Sequence, residues 1–171
     1  MNQLRIAYVL AAMVLGAMLN TPALAEPHHA KLVGIQEVPV VVSAGTGQLK
    51  MTVADDDSSI EFELTYEGLE GGTVQQAHIH VGQKNVNGGV VIFLCTSLTP
   101  PPAGVPAPPA CPDSPGKVTG TRTAADVLPQ TTQGISAGEL SAVLIAIREG
   151  KAYANVHTAA SPGGEIRGQI H

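Results

Sequence analysis

Along residues 47–67 apolar and polar side chains alternate in two runs. Leu49, Met51 and Val53 occupy every second position of the first, and Ile60-Glu61-Phe62-Glu63-Leu64-Thr65-Tyr66-Glu67 alternates without a break. A period of two places all the apolar groups on one face, which predicts two half-buried antiparallel strands at 47–54 and 60–67. Asp55-Asp56-Asp57-Ser58 supplies the turn between them. These aspartates read as a solvated turn, because a calcium loop would need D-x-D-x-D-G spacing and a distal Glu. Similar runs predict strands at 30–37, 74–81, 89–94, 117–123, 151–158 and 165–170, with glycine and proline as punctuation. The period changes once. Ser136-Ala137-Gly138-Glu139 has the capping-box pattern, Leu140, Val143, Leu144 and Ile147 follow at helical spacing, and Gly150 offers a stop. The expected fold is all-β, an antiparallel sandwich or barrel with one short helix laid over an end of the sheets.

Residues 1–25 read as an address rather than as part of that fold. Arg5 is followed by an uncharged apolar run over 6–19 and by Ala23-Leu24-Ala25, an A-x-A cleavage site. A signal peptide removed after Ala25 is predicted, leaving one domain over 26–171, exported to the periplasm or secreted. The apolar run is too short for a membrane span, and no later stretch of the chain qualifies. Beyond Arg5 there are eight Lys and Arg against fourteen Asp and Glu, a net charge of −6. Nothing in that balance resembles a nucleic-acid footprint. Two cysteines in an oxidising compartment are most simply one disulfide, Cys95–Cys111, closing a proline-rich loop. A cysteine-ligated metal would want C-x-x-C spacing, which is absent.

The candidate chemistry lies in Gln76-Ala77-His78-Ile79-His80-Val81-Gly82. In a strand His78 and His80 project from one face, roughly 7 Å apart. A third imidazole from a neighbouring strand would complete a facial set, and Tyr153-Ala154-Asn155-Val156-His157-Thr158 offers His157. Three neutral imidazoles suit Cu(II) or Zn(II), and affinity at a nitrogen site favours copper. Gln76, Asn155 and Glu165 are candidate partners for the second nitrogens of the rings. The plain alternative is a polar, solvent-facing histidine pair.

Five stretches carry a family resemblance: Gly34-Ile35-Gln36-Glu37-Val38-Pro39, Ala77-His78-Ile79-His80-Val81-Gly82, Asn87-Gly88-Gly89-Val90-Val91, Tyr153-Ala154-Asn155-Val156-His157-Thr158 and Gly164-Glu165-Ile166-Arg167-Gly168-Gln169. In order and spacing they resemble the CHRD (chordin-type) domain across nearly all of 26–171. The resemblance implies an immunoglobulin-like, Greek-key β architecture with a distant likeness to copper/zinc superoxide dismutases, and implies no established activity. In those enzymes an H-x-H strand and a later V-H strand bind copper, which His78-Ile79-His80 and Val156-His157 resemble. A C-terminal arginine guides the anion there, which makes Arg167 a weak catalytic candidate. The bridging histidine and zinc loop have no counterpart between His80 and His157, so a three-histidine copper site is the most that carries over.

The other histidines add little at this level. Cleavage after Ala25 would begin the chain Glu26-Pro27-His28, but an amino-terminal copper chelate needs the second backbone amide and Pro27 has no N–H. His28 and His29 read as loose ligands, and His171 as frayed. Arg167 reads first as an ion-pair partner for Glu165 or Glu37, and Gly88, Gly89, Gly163 and Gly164 as turn residues rather than a phosphate cradle. Three functions follow in order of preference. The first is an exported protein binding copper, or alternatively zinc, without turnover. The second is a metal-free structural or interaction module whose partner is another exported protein, and the third a copper-only dismutase-like enzyme.

Overall fold

The structure, a computed structural model, describes residues 25–171. The predicted signal segment lies outside the described residues apart from Ala25. Eight strands form one antiparallel sheet: β1 (Glu26–Val33), β2 (Thr46–Val53), β3 (Ser59–Glu67), β4 (Val74–Val81), β5 (Gly89–Thr96), β6 (Gly116–Thr123), β7 (Ala152–Thr158) and β8 (Ile166–Gln169), with one helix, α1 (Leu140–Arg148). Their order is β5-β4-β7-β8-β1-β2-β3-β6. The sheet curls into a barrel that is nearly closed, so of the two layouts expected it is the barrel that forms.

The alternation in the sequence builds this curl directly. Leu49, Met51 and Val53 of β2 and Ile60, Phe62, Leu64 and Tyr66 of β3 all point inward and are buried. Each such side chain taken from water contributes on the order of 1.5–3 kcal/mol. Helix α1 lays Leu140, Val143, Leu144 and Ile147 against β7 and β4, and leaves Ile145 to solvent. Glu139 reaches back to the Ser136 N–H at 2.8 Å, which is half of the expected capping box. The three aspartates do form a turn, in which Asp57 donates its N–H to Ala54 and adopts φ 58°.

The seam between β5 and β6 is closed by other groups than a backbone ladder. Arg122 of β6 points inward over the Phe62 ring, where it donates from Nε to the Phe93 carbonyl (2.8 Å) and from Nη2 to the Leu94 carbonyl (3.0 Å). Beyond Arg122, β5 is met at Val90 by Gln130, at Val91 by the Leu128 N–H and at Thr96 by the Pro109 carbonyl, while Gln133 bridges Gly89 of β5 to Val81 of β4. The Cys95–Cys111 disulfide forms as expected and ties the proline-rich loop to β5.

The first strand departs from expectation. It begins at Glu26 rather than at residue 30 and ends at Val33, so His28 and His29 belong to the ladder with β2, opposite Met51 and Lys50. They sit in a strand and not in a loose leading end. His28 is buried and its Nε2 donates to Glu26 at 3.1 Å. His171 is not frayed either, since its backbone exchanges both hydrogen bonds with His29, at 2.9 and 3.0 Å. After Val33 a single turn, Gly34–Gln36, replaces the expected end of the strand, because the Gly34 carbonyl accepts from both Glu37 and Val41. That turn swings residues 37–41 over the outside of the barrel.

Candidate metal centre

On β4 the inner face is Ala77 and Ile79, which enter the core with Ala152, Ala154 and Val156 of β7 and Ile166 of β8. The outer face is polar across the same three strands. His78 lies opposite Asn155, His80 opposite Tyr153 and Gln76 opposite His157, while Asn155 and Tyr153 in turn oppose Arg167 and Gln169. Two register irregularities interrupt the pairing of β4 with β5, between Ala77 and His78 and between Ile79 and His80. Irregularities of this kind re-aim the side chains beside them. An outer face would ordinarily be wet, but the connections over 34–41, 82–88 and 159–164 lie across this one. The three histidines are 2%, 8% and 6% exposed.

The sequence-predicted trio therefore meets: one nitrogen of each of His78, His80 and His157 lies within 4.8 Å of the other two. The rings pack on one another, with centroids 5.1 Å apart for His78 and His80 and 4.6 Å for His78 and His157. Two backbone carbonyls fix which nitrogens carry protons. The Nδ1–H of His80 donates to Gly88 (2.9 Å) and that of His157 to Pro162 (2.9 Å). Each neutral ring is left with a bare Nε2, and that of His157 is buried with no partner. Nδ1 of His78 faces both His80 Nε2 (3.1 Å) and Asn155 Oδ1 (3.2 Å).

Burial holds all three imidazoles below the usual histidine range. His78 is driven well below it, first by desolvation and then by the neighbouring His157 and His80. His80 falls to about 4, chiefly through desolvation and against the opposing bond to Gly88. Desolvation also lowers His157, against the bond to Pro162. Two of the rings, His80 and His157, are oriented from behind by carbonyls and left with a bare Nε2, as a metal ion requires of histidine ligands, and His78 brings Nδ1 beside that of His80. Among the described residues this is the one cluster of three histidine, cysteine or acidic side chains that could hold an ion.

Behind the rings lies a second layer. Tyr153 stacks on His80, with centroids 4.6 Å apart and planes within 6°, and the Arg167 guanidinium lies 3.4 Å from the centre of the Tyr153 ring. Arg167 is 1% exposed and donates to Asn87 Oδ1 (3.1 Å) and to the carbonyls of Gln83 (3.3 Å) and Val86 (2.8 Å). It is thus a clasp for the 82–88 connection. The expected ion pair with Glu165 does not form. Glu165 instead accepts from Ser43, Thr158 and the backbone N–H groups of Glu70 and Gly71, at 2.7–2.9 Å. Glu37 is brought beside the cluster by the turn after β1, and is buried with Oε1 lacking a partner. Desolvation raises its carboxyl to about 7, against the charge of Arg167 and hydrogen bonding from Val38 and Asn155. Gly164, at φ +117°, allows this approach, since a Cβ there would overlap Glu37 Oε1.

Of the candidate ring partners, Asn155 is in place and Glu165 is committed elsewhere. The carbonyls of Gly88 and Pro162 were not legible, because any residue type presents a carbonyl. Tyr153 and Glu37 stood in the quoted motifs, yet only the tertiary fold assigns them to this site.

The model of the CHRD domain family matches residues 29–170, which takes in all three histidines and both cysteines. No curated protein and no solved structure matches the chain.

Proposed function

The chain belongs to the CHRD domain family, and from that premise we propose that it is an exported protein that binds one metal ion through His78, His80 and His157, with copper as the ion and zinc as its competitor. The observation that carries this reading is the bare, buried Nε2 of His157, aimed at two further imidazoles and given no hydrogen bond. A buried nitrogen left without a partner costs about 1–3 kcal/mol, and a bound cation removes that cost. Three nitrogen donors favour copper by the general order of divalent affinities. The disulfide agrees with an oxidising destination. Binding is preferred to turnover, because Arg167 spends its guanidinium on the 82–88 connection instead of presenting it to an anion.

The test is a Cu(II) titration of residues 26–171, read by electron paramagnetic resonance and repeated on His157→Ala. One tight site with nitrogen hyperfine structure that the substitution abolishes is expected. Weak binding indifferent to the substitution would overturn the proposal. It would favour the second reading, an interaction module, for which Ile35, Val40 and Val42, exposed along the segment that covers the site, would be the contact residues.

A further inference from the structure

Asn155 stands on β7 between the two histidines of β4, and its side chain does more than border them. Its Oδ1 is 3.2 Å from His78 Nδ1 and 3.1 Å from His80 Nε2, and those two nitrogens are 3.1 Å apart. The three atoms form a nearly equilateral triangle. A hydrogen-bonded triangle of that size needs protons along its edges, and this one has few. The Gly88 carbonyl takes the Nδ1–H of His80, so His80 Nε2 is a bare lone pair. The amide oxygen carries no hydrogen. One proton, on His78 Nδ1, serves two edges, and the third sets the lone pairs of His80 Nε2 and Asn155 Oδ1 against each other at 3.1 Å.

The amide presents its oxygen to the rings and its nitrogen to the other side, where Nδ2 and the Glu37 carboxyl both border the place a Cβ on Gly164 would take. A cation at the triangle relieves the contact with the amide as it stands: the lone pairs of His80 Nε2 and Asn155 Oδ1 both turn to the ion, and His78 ligates through Nδ1 as the tautomer that carries its proton on Nε2. Bonds of 2.0–2.1 Å to tetrahedral ligands imply edges of roughly 3.3–3.4 Å, whereas adjacent ligands in a square plane would be roughly 2.8–3.0 Å apart. The observed edges lie between these values and admit an ion a little above the triangle, with His157 offering a nitrogen within 4.8 Å of those of His78 and His80.

We infer that the Asn155 side-chain oxygen is a fourth ligand atom, so that the centre is a three-nitrogen, one-oxygen site. This rests on the metal-binding reading of the three histidines and goes beyond it in naming an oxygen donor. The site is then complete within the protein, as in metal centres that hold an ion rather than offer it to substrate.

The probe is Zn(II), which has no redox chemistry and takes the geometry its ligands offer. A crystal structure of residues 26–171 loaded with Zn(II) is expected to place the ion about 2.0–2.2 Å from Asn155 Oδ1 as well as from the three imidazole nitrogens. In solution Asn155→Ala, with folding checked by circular dichroism, is expected to bind Zn(II) at least about tenfold more weakly than the parent protein. An ion on the three histidines with Oδ1 beyond about 3 Å, or an Asn155→Ala affinity equal to that of the parent, overturns this inference and leaves the histidine site standing. No ion at the histidines overturns both.

Discussion

Glu165→Gln tests whether the segments at Ser43, Glu70–Gly71 and Thr158 are held together by a charge or by shape. Glu165 is 1% exposed and accepts four hydrogen bonds from three separate segments: Ser43, the N–H groups of Glu70 and Gly71, and Thr158. Gln preserves the volume but turns one oxygen into an amide donor. The hydroxyl facing that donor can rotate to accept; the backbone N–H facing it cannot, and is orphaned at a cost of about 1–3 kcal/mol. The bonds that survive lose the assistance of the charge, a further loss on the order of 1 kcal/mol each. Together these predict a destabilisation of about 3–5 kcal/mol, which for a domain of this size lowers the melting temperature by roughly 10–15 °C.

The same substitution fixes a pH dependence. Burial pushes the Glu165 carboxyl up, but the bonds from Glu70, Ser43, Thr158 and Gly71 outweigh it and hold the folded value below the ordinary 4.5. A carboxyl depressed in the folded state contributes its stability above the unfolded value and loses it as pH falls through the folded one. Scanning calorimetry should therefore find the full gap between parent and variant at neutral pH and a shrinking gap in acid below about 4.5. A gap under about 3 °C at neutral pH, or one that stays constant into acid, would refute the reasoning.

Two further outcomes follow from neighbouring groups. The Glu37 carboxyl rises from 4.5 to about 7 on folding, so the folded state holds its proton more tightly and stability declines as pH climbs through that window; Glu37→Gln should match the parent near about pH 4 and exceed it by about 3 kcal/mol near about pH 8.5 in urea unfolding. Arg122→Leu removes the donors to Phe93 and Leu94 and should cost about 2–4 kcal/mol while leaving metal binding unchanged; unaltered stability would mean the seam needs no arginine.

What could be read from the chain was whatever depends on residue type at fixed spacing. Strands β2, β3 and β4 were legible because their apolar positions alternate against a single core face. His78, His80 and His157 were legible because β4 and β7 are neighbours and a strand keeps alternate side chains together. The start of β1 was not, since Glu26-Pro27-His28-His29 is polar throughout and the inward position is filled by a histidine. Arg122 was hidden for the same reason, as an inward cation within a polar-looking strand. The orientation of the clustered histidine rings was illegible in principle. It comes from carbonyls at Gly88 and Pro162.

The occupied flank of β5 bears on how this protein keeps to itself. A terminal strand with free N–H and C=O groups is a template on which a second chain can add, the first step of domain swapping and of fibre growth. Here glutamine side chains, a leucine amide, an arginine and a proline carbonyl consume hydrogen-bonding groups of that strand from Gly89 to Thr96. The Cys95–Cys111 bridge keeps the proline-rich loop at hand, and proline has no N–H with which to continue a ladder. Reduction would free that loop from its anchor while Arg122 still holds the middle of the strand. Aggregation on reduction should accordingly start at the Thr96 end of β5, where the covering carbonyl belongs to the loop itself.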